Sequence, residues 1–301
     1  MVSQSGILVI DKPLGITSHD VVSKVRKILQ TKKVGHAGTL DPEASGVLVL
    51  GINRGTRLMQ YFVGDDKSYQ ATIRLGVATK SDDAAGEILS ISSNQLSQDQ
   101  IQSAISKFTG PIMQRPSSVS AIKVNGTRAH DLVRSGVDLI LPERPVTVHS
   151  FTVLSLKQES FHGHTVTDIE VSVNCSSGTY VRALARDLGS ELGVGGSVIS
   201  LRRVTAGKFE LKDAILLTEL TEKSEILSLG EVARRVLMCH EVDSTQVADV
   251  AHGREIAMLS ADHQDLALLD SSGELVAIGN VSAGRFQPVN VFITPSELLD
   301  V

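Results

Sequence analysis

The sequence predicts an α+β protein whose core is a mixed, mostly antiparallel sheet with flanking helices, followed by a small β-rich C-terminal domain. Apolar runs of strand length recur along the chain, and only occasional segments show the 3.6-residue period of amphipathic helices. Strands and helices do not alternate in the regular βαβ order that builds parallel sheets. We therefore expect most strands to pair with antiparallel neighbours.

The first predicted elements are a strand, a helix and a second strand. Residues 6–11 form an apolar run that ends in a turn at Asp11-Lys12-Pro13, and residues 46–52 form another apolar run. Thr17 or Ser18 can cap the helix between them. Its apolar face comprises Val21, Val22, Val25, Ile28 and Leu29. Cations that we expect to face solvent there, or just beyond it, are Lys24, Arg26, Lys27, Lys32 and Lys33. They fit a solvated helix face or a surface for phosphates.

The middle of the chain contains three further strands and two further helices. Strands are predicted over residues 68–75, 146–156 and 169–175. A capping box at Ser97-Gln98-Asp99-Gln100 opens a helix that buries Ile101, Ile105 and Phe108 and stops before Gly110-Pro111. A second helix begins near Thr179 and ends at Gly193. Its buried residues are expected to be Val181, Leu184, Ala185, Leu188 and Leu192.

The last third of the chain predicts a helix-rich stretch at residues 212–238 and then a small β-rich unit. Residues 265–269 and 275–279 flank Asp270-Ser271-Ser272-Gly273, which is typical of a hairpin turn. We therefore predict two domains, residues 1–235 and residues 236–301.

The charge distribution separates these two parts. The whole chain carries a net charge of -5, but residues 1–235 carry +3 and residues 236–301 carry -8. A polyanion binds where cations cluster, so the first part is a candidate for RNA or DNA binding and the second part is not. The chain has no apolar run long enough to cross a bilayer and no secretory signal, and Cys175 and Cys239 form no ligand or disulfide pattern. A protein of the reduced cytoplasm, without a membrane partner, is expected.

One glycine-rich segment is a candidate site. The run from Gly35 to Gly46 contains three glycines, a histidine and two carboxylates ahead of an apolar strand. Glycines permit positive φ and close backbone approach, so this loop can bring Asp41 against a ligand. The same composition also fits a tight loop whose aspartate caps the backbone, and composition leaves both open.

A second candidate surrounds Arg182, in the run Ser176 to Arg182. A cation in the first turn of a helix is unfavourable, because the helix dipole is positive there. A carboxylate such as Asp41, or a phosphate, would compensate it; an exposed arginine with a snorkelling stem is the alternative. No dinucleotide loop, Walker sequence or zinc spacing is present, and His162 with His164 fits a surface pair, so we expect no metal and no cofactor.

Five ordered motifs resemble those of the bacterial TruB family. They are Asp11-Lys12-Pro13-Leu14-Gly15-Ile16-Thr17-Ser18, Gly35-His36-Ala37-Gly38-Thr39-Leu40-Asp41-Pro42, Lys67-Ser68-Tyr69-Gln70, Ser120-Ala121-Ile122-Lys123 and Gly178-Thr179-Tyr180-Val181-Arg182. The resemblance spans about residues 6–205. It implies a pseudouridine-synthase-type sheet, a PUA-like C-terminal domain, and a tRNA pseudouridine synthase acting on uridine 55 of the T-loop.

The resemblance also implies roles for individual residues. Asp41 matches the nucleophile, Tyr69 the tyrosine that stacks on the target base and is implicated in removing its C5 proton, and Arg182 the arginine that pairs with the catalytic carboxylate. His36 matches the histidine that helps to hold the loop with its flipped bases. Further substrate contacts are expected from Lys12, Gly38, Thr39, Leu40 and Lys123. The family's Tyr in Pro-Pro-x-Tyr-Ser-Ala is Val119 here, and another common Tyr is His130.

The expected partner is the T stem-loop of tRNA, recognised by a monomer without a guide RNA. Isomerising uridine exchanges no electrons or groups with a third molecule, which is consistent with the missing cofactor motifs. Two alternatives remain: an RNA-binding protein that assists tRNA folding, and a guide-RNA-dependent modification enzyme. An inactive Asp41 variant that still accelerates tRNA folding identifies the first, and activity of the purified chain on a bare T stem-loop excludes the second.

Overall fold

The computed structural model describes residues 4–118, 123–124, 126–128 and 139–294. Its strands are β1 Gly6–Lys12, β2 Val34–Ala37, β3 Ala44–Ile52, β4 Lys67–Leu75, β5 Val77–Thr79, β6 Ile88–Ile91, β7 Gly110–Gln114, β8 Lys123–Val124, β9 Thr127–Arg128, β10 Arg144–Phe161, β11 His164–Cys175, β12 Gly196–Ala206, β13 Phe209–Glu210, β14 Ile215–Leu216, β15 Leu227–Ser228, β16 Cys239–Glu241, β17 Ile256–Ala257, β18 His263–Leu269, β19 Leu275–Ser282 and β20 Arg285–Val291. Its α-helices are α1 Ser18–Ile28, α2 Gly55–Leu58, α3 Gln98–Ser106, α4 Val181–Glu191, α5 Leu229–Val236 and α6 Ser244–Ala251. In this part of the chain no helix is long and apolar enough to cross a membrane.

The chain divides into two compact units. The first comprises residues 1–41, 47–64 and 207–301, and the second comprises residues 42–46 and 65–206. The division at residue 235 that the sequence predicts stays a prediction.

The first unit begins with strand β1. It pairs in parallel with β14 and antiparallel with β15, while β2 pairs antiparallel with β3. Helix α1 begins with a complete capping box: Thr17 Oγ1 accepts the backbone N–H of Asp20, and the Asp20 carboxylate accepts that of Thr17. Such a cap contributes about 1 kcal/mol to helix stability. The predicted start of this helix is thus confirmed.

The solvent-facing side of α1 is also largely as predicted, with one correction. Lys24 and Lys27 are exposed. Arg26 is only half-buried rather than fully exposed, because its Nη2 donates to the carbonyl oxygen of Val34 at 2.8 Å. Its aliphatic stem packs along the protein while its head finds a backbone acceptor.

The second unit is built on an antiparallel sheet in the order β12-β4-β11-β10-β7, with residues Ala44–Gly46 of β3 pairing in parallel with β12. The prediction of a mixed, mostly antiparallel sheet is confirmed. Strand β10 is longer than the predicted 146–156 segment. Its polar end forms a hairpin with β11, so backbone pairing extends the strand where the apolar pattern stops.

Residues 212–238 are not helix-rich, which corrects the sequence-based prediction. They contain the short strands β14 and β15 and one eight-residue helix, α5. Strand β1 provides the reason. It pairs in parallel with Ile215–Leu216 and antiparallel with Leu227–Ser228, and this pairing holds both segments in an extended conformation. Pairing with an existing strand outweighs the helix propensity of the intervening polar residues.

The C-terminal part of the first unit contains a five-stranded sheet in the order β16-β18-β19-β20-β17. Its own apolar core includes Val250, Leu268 and Phe286. The predicted hairpin is confirmed as β18 and β19, and Asp270 Oδ1 accepts the backbone N–H groups of Ser272 and Glu274 within its turn. A β-rich C-terminal domain therefore exists as the sequence predicted.

Candidate active site

Asp41 lies in the first unit, in the segment of residues 38–43 that links β2 to β3 and is here called the Asp41 loop. Gly38 has a φ of +88°, a conformation that glycine adopts without strain, and Asp41 itself is half-buried. The buried Leu40 precedes it and is held by Ser18, whose Oγ donates to the Leu40 carbonyl at 3.0 Å and accepts the Leu40 N–H at 2.9 Å. The first residue of α1 thus fixes the backbone directly before Asp41.

Ser18 has this role in addition to beginning α1. From the sequence, Ser18 is only a possible helix cap and a member of the first motif. The cap is Thr17, and the hydroxyl of Ser18, which is 1% exposed, is used for the Asp41 loop. The local sequence carries no signal for a contact across 22 residues.

Lys12 differs in its burial from the exposed lysines of α1. It is fully buried, and its Nζ donates to the carbonyl oxygens of Pro13 at 2.8 Å and Ile16 at 2.7 Å. Burying a charge is costly unless hydrogen bonds compensate it, and these carbonyls provide that compensation. In this structure Lys12 therefore holds the turn that leads into α1, and its contact with RNA stays a prediction.

His36 lies in β2, where it is half-buried and opposite Leu50 of β3. The neighbouring Gly35 is closely approached, since a Cβ at this position would lie 3.2 Å from the Cε of Met59. The first unit therefore brings together His36, Gly38, Thr39, Leu40 and Asp41 on one short stretch of backbone.

Tyr69 lies in the second unit, near the start of β4. Its register partners are Val173 on β11 and Arg203 on β12. The side chain is 9% exposed and belongs to the buried face of the strand. The strands paired on both sides of β4 fix the backbone of Tyr69.

Arg182 occupies the first turn of α4 and is 5% exposed. Its Nη1 donates to the carbonyl oxygen of Ser81 at 2.8 Å and to Oδ2 of Asp83 at 3.1 Å. The negative partner that the helix dipole requires is therefore present within the second unit. The exposed, snorkelling arginine is excluded for the described structure.

Asp83 is a site residue that sequence reasoning missed. Its Oδ1 accepts Ser81 Oγ at 2.5 Å and the Ala85 N–H at 3.1 Å, which leaves Oδ2 directed to Arg182. The preceding Asp82 has a φ of +61°, which marks a tight turn after β5. The acidic pair in a short polar turn is the only local signal that could have drawn attention to it.

A second ion pair lies one helical turn further along α4. Arg186 Nη1 donates to Oδ2 of Asp82 at 3.1 Å, and its Nη2 donates to the carbonyl oxygen of Arg115 at 2.7 Å. Burial raises the pKa of Asp82, and the charge of Arg186 opposes that shift. The consecutive residues Asp82 and Asp83 thus pair with Arg186 and Arg182. These two arginines are four residues apart and lie on the same face of the helix.

Two buried cations lie near Tyr69, Lys67 on its own strand β4 and Arg203 on the neighbouring strand β12. Arg203 is 1% exposed, and Lys67 is buried with its Nζ donating to the carbonyl oxygen of Asp65. Burial lowers the pKa of Lys67, and the positive charge of Arg203 lowers it further. Gly46 passes close to Arg203, because a Cβ on Gly46 would lie 2.1 Å from the Arg203 carbonyl oxygen.

The remaining predicted contacts are only partly placed. Lys123 lies in the two-residue strand β8, paired with β9. The rest of its motif, Ser120-Ala121-Ile122, and the departures Val119 and His130 lie outside the described residues. The exposed His162 and His164 flank a hairpin turn, and among the described side chains no group of three or more metal-ligating residues is present.

Solved structures first define the class of this fold. The chain is similar to a chain in the solved structure of an H/ACA RNP bound to a substrate RNA containing 2'-deoxyuridine, with a TM-score of 0.71 and 25% identity over 96% of this chain and 86% of that chain. It is also similar to a chain in the crystal structure of a Cbf5-Nop10-Gar1 complex at the same TM-score, with 26% identity over 98% of this chain and 87% of that chain. The fold is that of Cbf5/TruB-type pseudouridine synthases.

Sequence comparison then identifies the family. The profile described as TruB family pseudouridylate synthase (N terminal domain) matches residues 26–181, and that of the tRNA pseudouridylate synthase B C-terminal domain matches residues 182–241. A tRNA pseudouridine synthase B of Arthrobacter sp. (strain FB24) is 47% identical over 97% of this chain and 98% of its own length. One of Corynebacterium diphtheriae is 46% identical, with 96% of both chains covered. The chain belongs to the TruB family of pseudouridylate synthases.

Proposed function

We propose that this pseudouridine synthase isomerises uridine 55 in the T-loop of tRNA, acting alone on the T stem-loop with Asp41 as its nucleophile. The observation that carries the proposal is the Asp41 loop, whose backbone is held by Ser18 on both polar atoms of Leu40. A reacting carboxylate needs a fixed backbone, because small misplacements of a nucleophile cost large factors in rate. The names of the relatives supply tRNA as the substrate class.

The reaction breaks the N1–C1′ bond of uridine, turns the base and joins C5 to C1′. No atom is gained or lost except that the C5 proton leaves and N1 acquires a proton. The Asp41 carboxylate either forms a transient covalent adduct with the nucleoside or assists elimination to a glycal. Both routes begin with Asp41 in its ionised form.

Access to the uridine requires that the base leaves its stack, at a cost of a few kcal/mol. Stacking on one aromatic side chain contributes about 1 to 3 kcal/mol, so Tyr69 offsets much of this cost. The Tyr69 ring and its hydroxyl are assigned to base stacking and to removal of the C5 proton. We assign to Arg182 an ion pair with the catalytic carboxylate. We assign to His36 contacts that help to hold the tRNA loop with its flipped bases.

Phosphate contacts supply the remaining affinity. Exposed cations on and after α1 are available for them, namely Lys24, Lys27, Lys32 and Lys33. Lys123 is retained as a further contact. The acidic C-terminal part is assigned an accessory role, since residues 236–301 carry a net charge of -8.

The proposal includes a cytoplasmic monomer that needs no guide RNA and no cofactor. Both cysteines are free thiols, which fits a reducing compartment. The test incubates the purified chain with an unmodified T stem-loop, without metal or nucleotide, and maps any pseudouridine formed. Modification of the uridine equivalent to position 55 supports the proposal. No product on the bare stem-loop, with product restored by a guide RNA, would identify a guide-dependent enzyme instead.

A further inference from the structure

The helix that carries Arg182 begins without the local support that other helices of the chain have. Helices α1, α3, α5 and α6 each start with a complete capping box. Helix α4 has no side-chain cap at Tyr180 and no acidic residue in its first turn, where it carries Arg182 instead. Because the helix dipole disfavours a cation at this end, the start of α4 depends on contacts from elsewhere in the fold.

Gln114 provides such a contact. It is the last residue of β7, it is 2% exposed, and its side-chain amide makes two hydrogen bonds with the backbone of Tyr180. Gln114 Nε2 donates to the Tyr180 carbonyl oxygen at 3.1 Å, and the Tyr180 N–H donates to Gln114 Oε1 at 2.8 Å. A primary amide is among the few side-chain groups that can satisfy a backbone N–H and C=O together.

The next residue of the same segment is also tied to α4. The carbonyl oxygen of Arg115 accepts Nη2 of Arg186 at 2.7 Å. The end of β7 therefore contacts α4 just before and one turn after Arg182. Ser81 and Asp83 make a further contact with the start of the helix, since both accept hydrogen bonds from Nη1 of Arg182.

We propose that Gln114 is a positioning residue for Arg182: by fixing the backbone of Tyr180 it sets where α4 begins and delivers the guanidinium of Arg182 to Ser81 and Asp83. The inference rests on the proposed function, in which Arg182 serves the reacting carboxylate. As a positioning residue, Gln114 is assigned no contact with substrate. Its effect on the reaction passes through the position of a helix start.

The test compares Gln114→Leu, which removes both hydrogen bonds at similar volume, with Thr167→Val as a matched control. Thr167 is also buried in the second unit and makes one side-chain hydrogen bond, to Gln158, but it lies six residues along β11 from the register partner of Tyr69. Single-turnover rates are measured with enzyme in excess over an unmodified T stem-loop, together with the dissociation constant of the RNA and the melting temperature.

Gln114→Leu is expected to lower the single-turnover rate about ten- to a hundredfold while leaving the dissociation constant close to the wild-type value. Thr167→Val is expected to lower the melting temperature without this fall in rate. Equal rates for the two variants would overturn the proposal. If Gln114→Leu does not fold, Gln114→Glu takes its place, since it keeps the acceptor for the Tyr180 N–H and loses the donor to the Tyr180 carbonyl; a wild-type rate in that variant would also overturn it.

A double-mutant cycle tests whether Gln114 acts through Arg182. In an Arg182→Lys background, Gln114→Leu is expected to cost little further rate, because the group it positions has already been changed. If the fold-losses in rate of the two single variants multiply in the double variant, Gln114 does not act through Arg182. Hydrogen exchange gives a readout independent of catalysis, through the Leu184 amide, which donates to the Tyr180 carbonyl oxygen at 3.1 Å. Faster exchange of this amide in Gln114→Leu than in Thr167→Val supports the inference even if the wild-type chain forms no pseudouridine, an outcome that would refute the proposed function alone.

Discussion

Nη1 of Arg182 lies 3.1 Å from Oδ2 of Asp83, and both side chains are buried in the second unit. The pair joins the first turn of α4 to the turn that follows β5, across 99 residues of sequence. It provides the negative charge that a cation at a helix N-terminus requires, and it fixes the guanidinium that the proposed mechanism uses.

Changing Asp83 is therefore expected to impair both stability and turnover. Asp83→Asn removes the charge facing Arg182, and loss of one partner of a buried ion pair costs about 3 to 5 kcal/mol of unfolding free energy. The single-turnover rate is expected to fall about tenfold or more, because Arg182 loses its fixed position. Chemical denaturation and single-turnover kinetics on a T stem-loop measure the two effects.

Asp168→Asn is the matched control for this change. Asp168 pairs with Arg74 at 2.8 Å and 2.7 Å in the same unit, on strands β11 and β4. Its loss is expected to lower stability while leaving the rate of the folded protein unchanged. A wild-type rate for Asp83→Asn at temperatures where it is folded would contradict the role assigned to the Arg182–Asp83 pair.

Ser18→Ala is expected to loosen the Asp41 loop. The change leaves the buried N–H and C=O of Leu40 without their Ser18 partner, and an unsatisfied buried polar group costs about 1 to 3 kcal/mol. Thr17→Ala removes the cap of the same helix, at about 1 kcal/mol, without touching Leu40. We expect Ser18→Ala to reduce the rate constant of pseudouridine formation and Thr17→Ala to reduce only the melting temperature. Equal rates in the two variants would argue against the loop role of Ser18.

Much of the fold follows from local patterns, because those patterns act over a few residues. The capping box at Thr17, the alternation along β11 and the turn at Asp270 are all formed by neighbours in sequence. The motif resemblance likewise identified the family from short ordered segments. These features required no knowledge of which distant segments meet.

The missed features depend on contacts between distant segments. Asp83 is recognisable as a partner of Arg182 only once α4 and the β5 turn are placed. The sequence predicts a helix-rich stretch at residues 212–238, but two short segments of it pair with β1 instead. The composition of the stretch carries no signal of this pairing.

Gly46→Ala tests the close passage of β3 and β12. Gly46 has a φ of +103°, and an added Cβ would lie 2.1 Å from the Arg203 carbonyl oxygen, so strain and displacement together are expected to cost about 3 kcal/mol or more. Gly64→Ala serves as control, because no heavy atom lies within 4 Å of a Cβ built there. Urea denaturation should show a large loss for the first variant and little for the second. Similar midpoints for both would contradict the described approach of the strands.

Cys175 predicts a pH dependence of stability. Burial raises the pKa of its thiol from 9.0 to about 11, so the folded protein keeps the proton over a range in which the unfolded chain releases it. Folding therefore loses stability as pH rises from about 9 to about 11, by up to about 3 kcal/mol from this group. Cys175→Ala is expected to remove this part of the alkaline loss in denaturation experiments. An unchanged slope in the variant would contradict the assignment.

The most direct test of the central claim compares Asp41→Asn with the wild-type protein on an unmodified T stem-loop. Asn is similar in size but is not an ionised nucleophile, so the variant is expected to form no detectable pseudouridine while retaining its melting temperature and its affinity for the RNA. Pseudouridine formation at the wild-type rate by a folded, RNA-binding Asp41→Asn protein would contradict the account.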